Sequence, residues 1–227
     1  ASAATKGALV VNANITASGS GNVLVDAKTG DLTVQADVNA GSGHLSLSTQ
    51  GAYSQSAVAD LTVSGSATVD VSAASISMAN GSTVTAASGN VRLAATNGLT
   101  VSTISSDADV ALVAGGSITS ALSTGSNVTA DELWLFSGVN VGSATQDLTL
   151  DVRVFNAEAT GNVWVAAQSD AIIGPVSLIN VQRVANTGIA SLLNTANFSD
   201  LAVHSVWSVD GAVTVSSAGD LTVNLDM

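Results

Sequence analysis

The chain has 227 residues, of which 46% are hydrophobic but only 3% aromatic, and charged residues make up 10% against the roughly 25% of ordinary soluble domains. A core must therefore be built from Ala, Val, Leu and Ile, with solubility supplied by Ser, Thr, Asn and Gly. Acidic residues outnumber basic ones 17 to 5, for a formal charge of -12, which argues against nucleic acid and anionic lipid as partners, since both need clustered Lys and Arg. There are no cysteines, and no apolar run approaches the roughly 18 residues of a membrane helix, so neither a disulfide framework nor membrane insertion is expected.

Alternation of apolar residues with period two predicts short strands along most of the chain. The first strong one is Val23-Leu24-Val25 behind Gly21-Asn22, followed by Leu32-Thr33-Val34 behind Gly30-Asp31. Both phrases recur. The first returns at Leu45-Ser46-Leu47, Val69-Asp70-Val71, Val91-Arg92-Leu93, Val110-Ala111-Leu112, Leu133-Trp134-Leu135, Val163-Trp164-Val165 and Val213-Thr214-Val215. The second returns at Leu61-Thr62-Val63, Leu99-Thr100-Val101, Leu148-Thr149-Leu150 and Leu221-Thr222-Val223. Lead residues of the first phrase lie 19 to 24 apart over residues 23–133. Residues near Gly125–Ala130 and Gly138–Gln146 are expected to loop outward, and 174–208 is the least regular stretch, with Gly174-Pro175 and a helix-compatible Ile189-Ala190-Ser191-Leu192-Leu193.

One winding of about 20 residues cannot bury its own inward row, but stacked windings close it off by pairing strands about 4.8 Å apart. The expected fold is therefore an all-β parallel β-helix of roughly ten coils and of order 50 Å in length. Val23, Val25, Leu32 and Val34 should point inward, and Leu24, Asp26, Thr33 and Gln35 outward. The whole of 1–227 reads as one solenoid domain, regular over 7–170 and 209–225 and decorated over 171–208. The opening Ala1-Ser2-Ala3-Ala4 fits either a fragment boundary or a mature product cut at a small-residue signal site.

The phrases GNVLVDAKTGDLTVQADVNAGSGHLSLST and GNVRLAATNGLTVSTI resemble the repeats of filamentous-haemagglutinin-type surface proteins. The piece VNVGSATQDLTLDVRVFNAEATGNVWVAA is similar to repeats of very large bacterial adhesins. The resemblance covers most of 7–170 and again 209–225. It implies a right-handed parallel β-helix, exported to the extracellular space or bacterial cell surface, that serves as a stalk or adhesin. Expected partners are flanking repeats or other copies of the chain, and cell-surface or matrix polysaccharide.

A polysaccharide-degrading or carbohydrate-binding β-helix needs acids and a base converging in one groove. Asp31, Asp60, Asp147 and Asp220 instead recur just before a strand, which reads as a turn requirement, so no enzyme is expected. The close pairs Asp107/Asp109 and Asp131/Glu132 could hold Ca²⁺; otherwise no cofactor is implied. His44 and His204 read as ordinary surface or turn residues. Thr33, Thr62, Thr100, Thr149 and Thr222 read as one stacked ladder, whose single width and uneven coil lengths speak against ice binding. The outward position of the first phrase carries Leu24, Ser46, Asp70, Arg92, Ala111, Trp134 and Trp164. Trp134, Trp164 and Arg92 are the candidate contact residues there, unless the loop 138–146 folds over the two tryptophans.

Overall fold

The structure, a computed structural model, describes residues 2–4, 7–193 and 206–224, and the side chains of 7–191 and 206–224. It is an all-β parallel solenoid of about seven turns. Each turn runs through three sides. Side one stacks Ser2–Ala4, Val23–Asp26, Leu45–Ser48, Val69–Ala73, Val91–Ala95 and Val110–Ala114, then the second halves of Val128–Ser137 and Leu148–Ala159. Side two is a six-stranded sheet from Leu9–Val11 to Ile118–Ser120, continued by bridges from Ile118 through Val141 to Val163. Side three stacks Ile15–Thr16, Val38–Asn39, Asp60–Val63, Thr83–Ala86 and Thr103–Ser106, then the first halves of the two long strands.

The inward row follows directly from the alternation. Val23, Leu45, Val69, Val91, Val110, Leu133 and Phe155 stack in register on side one, and none is more than 1% exposed. Each full burial contributes about 1.5–3 kcal/mol of transfer free energy. A polar pair sits inside this aliphatic stack. The Tyr53 hydroxyl donates to Gln55 Oε1 (3.0 Å), and Gln55 Nε2 donates to the carbonyls of Ala59 (2.7 Å) and Thr83 (2.8 Å). Both side chains are buried yet hydrogen-bonded, which is what makes them tolerable there.

The glycine and Asx residues that open each phrase have two separate jobs. Gly89 is not at positive φ; a Cβ on it would lie 1.8 Å from the Ala67 carbonyl oxygen of the turn below. The residue after it bridges turns: Asn90 Oδ1 accepts the N–H of Asp109 (3.2 Å), as Asn22 Oδ1 accepts that of His44 (2.9 Å) and Asn162 Oδ1 that of Ala212 (2.7 Å). The aspartates work in the same way. Asp31 Oδ1 takes the Ala52 N–H (2.8 Å), and Asp60 Oδ1 takes the N–H and hydroxyl of Thr83 (3.1 and 2.8 Å). They therefore satisfy inter-turn donors at the corners.

Four sequence expectations need correction. The stack has about seven turns, or roughly 34 Å, in place of ten, because the described residues 175–193 leave it; among the described residues pairing to the stack resumes at Val206–Ser208, opposite Ala157–Ala159. Residues 128–130 and Val141 are part of the ladder and not loops. The threonines do not form one ladder: Thr33 and Thr100 lie on side two, whereas Thr62 and Thr149 lie on side three. The helix-compatible 189–193 contributes a strand, Ala190–Leu193, antiparallel to Val181–Val184 across a turn in which Ala185 N–H donates to Ile189 O (2.8 Å) and Gly188 has φ 77°.

Candidate functional site

The excursion forms a strap along side one, and its contacts give its course. Gly174 N–H is still bonded to the Phe155 carbonyl (3.1 Å). Ser177 N–H then donates to Glu132 Oε2 (2.5 Å), the Asn180 carbonyl accepts from Asn90 Nδ2 (2.9 Å), and Gln182 N–H donates to Thr68 Oγ1 (2.8 Å). Val184 N–H donates to Ser46 Oγ (2.9 Å), and the Gly188 carbonyl accepts from Asn22 Nδ2 (2.9 Å). Partners 132, 90, 68, 46 and 22 descend the stack, passing over the turn of Val110–Ala114 between the first two, so the strap runs back from the late turns to the early ones.

What it covers is the outward column of side one. Leu24, Ser46, Asp70, Arg92, Ala111, Trp134 and Asn156 are all 8% exposed or less. Trp134 packs with Ala111, Val113 and Val154 beneath Val176 and Ile179, beside Phe136 at a centroid distance of 6.2 Å. Trp134 is thus covered by the chain itself, through 174–180 and not through 138–146. Trp164 is elsewhere. It lies on side two with its N–H on the Val141 carbonyl (2.8 Å), whereas the register carries the Trp134 column on to Asn156. Gly142 sits under it at φ 70°, where a Cβ would lie 2.2 Å from the Trp164 carbonyl oxygen. The two tryptophans therefore do not share a side.

Arg92 is also internal. Its Nε and Nη2 both reach Asp70 Oδ1 at 2.9 Å, and Arg183 of the strap reaches Asp70 Oδ2 through Nε at 2.7 Å. Asp70 is 1% exposed, so one buried carboxylate ties a guanidinium of the wall to one of the strap. Burial pulls the Arg92 pKa down, with Asp70 opposing it. Nothing in the repeat pattern marks Arg183, since its partner Asp70 lies 113 residues away.

A cleft of about 250 Å³ remains between strap and wall. Leu24, Ser46 and Ser48 form part of its floor, and Ala185, Asn186 and Ser191 part of its rim. Asp26 and Asp70 border it, both already paired: Asp26 Oδ2 holds Lys28 Nζ at 2.5 Å, and its Oδ1 accepts the Lys28 N–H at 2.9 Å. Burial pushes the Asp26 carboxyl up, but Lys28 and Ser48 outweigh this and leave it below its ordinary range.

The other singled-out groups serve as corner chemistry. Arg153 spans Asp131 (2.6 and 3.0 Å) and Glu132 (3.0 Å), which lowers the Asp131 pKa. Nearby Asp109 is raised, first by burial and then by Glu132. Among the described residues no group of three or more His, Cys, Asp or Glu is placed to hold a metal ion. Nδ1 of His44 accepts the Thr68 N–H at 3.1 Å and burial lowers its pKa, whereas His204 lies outside the described residues. Together these features define a parallel β-solenoid with a strap latched along one side. No protein-family model matches the chain, and no curated protein or solved structure matches it.

Proposed function

We propose that the chain is an extracellular structural or adhesive body of the filamentous-haemagglutinin type, in which further turns add to the open end of the stack. The observation that carries this reading is the last described turn. There Val213 is 45%, Leu221 37% and Val223 53% exposed, although they belong to the row that is buried in the turns below. Among the described residues nothing pairs with the far edge of these strands, and an aliphatic row beside such an edge can template another winding. That winding comes from a continuation of the solenoid or from a second copy, stacked in the open head-to-tail geometry. The role is mechanical: stiffness from the ladder, and contact through the sides.

Support for a non-enzymatic role comes from where the acids go, into inter-turn acceptors and ion pairs. The test is sedimentation velocity and negative-stain microscopy over a concentration series, comparing the chain with Val215→Arg/Val223→Arg. End-to-end species that grow with concentration and vanish in the variant are expected. A monodisperse particle at all concentrations, unaltered by the substitutions, would count against the reading.

A further inference from the structure

The cleft beneath the strap has a composition that narrows what it can hold. Its ionic groups pair with one another, Asp26 with Lys28, and Asp70 with Arg92 and Arg183, which leaves Arg183 Nη2, buried and without a partner, as one spare donor. A free cation would have to displace Lys28 or an arginine. An anion would have to compete with Asp26 and Asp70 for the same Lys28, Arg92 and Arg183 groups, whereas a sugar hydroxyl can take the spare Arg183 donor without separating any pair. The other polar groups are neutral. Ser46 Oγ accepts the Val184 N–H and keeps its proton to donate, while Asn186 and Ser191 bring an amide and a hydroxyl to the exposed rim. Leu24 and Ala185 supply aliphatic surface between them.

We infer that this cleft binds a single neutral sugar residue, its hydroxyls meeting Ser46, Asn186 and Ser191 and its C–H face meeting Leu24 and Ala185. Size agrees. About 250 Å³ falls just below the roughly 300 Å³ at which drug-sized sites begin, which suits one ring and not an extended oligomer lying flat. Mixed apolar surface with a few convergent polar groups is the usual make-up of small-molecule sites. The strap is essential to the site, since it provides the rim and the bond that orients Ser46. The inference deepens the adhesive reading by naming the chemistry of a partner, and rests on it only for that role.

The test is saturation-transfer NMR on the full chain with methyl glycosides of glucose, galactose, mannose and N-acetylglucosamine, their linear tetrasaccharides, and galacturonate. At least one neutral glycoside is expected to bind. Ala185→Trp, which fills the cleft from its exposed rim, should weaken binding about tenfold or more, with the circular dichroism melt unchanged. Asn186→Ala/Ser191→Ala is a second variant that spares every ion pair and should weaken binding too. Tetrasaccharide binding at least as tight as the monosaccharide identifies a glycan chain as the source; monosaccharide binding alone identifies a free or terminal sugar. Binding of none, binding of galacturonate alone, or binding untouched by both variants overturns the inference. Assembly without sugar binding would sink only the cleft; sugar binding without assembly would sink only the open-end reading.

Discussion

Asp70→Ala removes the anion to which two guanidinium groups are tied. The carboxylate is 1% exposed and accepts from Arg92 through two nitrogens and from Arg183 through one. Its loss strands Arg92, itself 4% exposed, as an uncompensated buried charge, for which about 3–5 kcal/mol is the usual cost. Arg183→Ala breaks the same carboxylate's outer bond, but that side chain is 40% exposed and solvent takes its place, so about 1 kcal/mol or less is expected. Urea unfolding followed by far-ultraviolet circular dichroism measures both. Asp70→Leu/Arg92→Leu completes the set, since removing both charges should recover most of what Asp70→Ala loses. The reasoning fails if Asp70→Ala costs no more than Arg183→Ala, or if the double replacement is worse than Asp70→Ala.

Three more outcomes are expected. Gly142→Ala places a Cβ against the Trp164 carbonyl at positive φ and should destabilise by about 1–3 kcal/mol, seen as a lowered melting temperature. Tyr53→Phe takes the donor from Gln55 Oε1 inside the stack and should cost about 1–3 kcal/mol in the same assay. His44 is held neutral by burial, with Nδ1 accepting the Thr68 N–H, so its folded pKa lies below 6.5 and the unfolded chain binds the proton more readily. Its stabilising contribution is complete above the unfolded pKa and is lost as pH falls from about 6.5 through the folded value. Stability measured from pH 8 to 5 should fall over that window in the native chain and stay flatter in His44→Gln.

The repeat and its inward rows were legible because period-two alternation is imposed by the pleat itself, and Val23, Val25, Leu32 and Val34 are all buried as expected. The side on which each phrase falls was not legible. Leu-Thr-Val looks the same on side two at residue 99 and on side three at residue 61, because both sides present one alternating strand to the same core. Gln55 hid its own strand by placing a polar residue at an inward position, made tolerable by partners distant in sequence. The covered column is harder to read from the sequence. It mixes Leu24, Ala111 and Trp134 with Asp70 and Arg92, and alternation alone calls such positions solvent-facing. Two signals were present: three apolar outward residues, and opposite charges one turn apart at 70 and 92. Both ask for a cover, and neither says which segment supplies it.

The strap is the feature on which the cleft and the buried column both depend, and native-state amide exchange reads it directly. Ser177, Gln182 and Val184 N–H groups are bonded to Glu132, Thr68 and Ser46, so their exchange should be slowed about 100-fold or more relative to unstructured peptide. Exchange of all three at the unprotected rate, while the amides of Val91–Ala95 stay protected, would contradict the account.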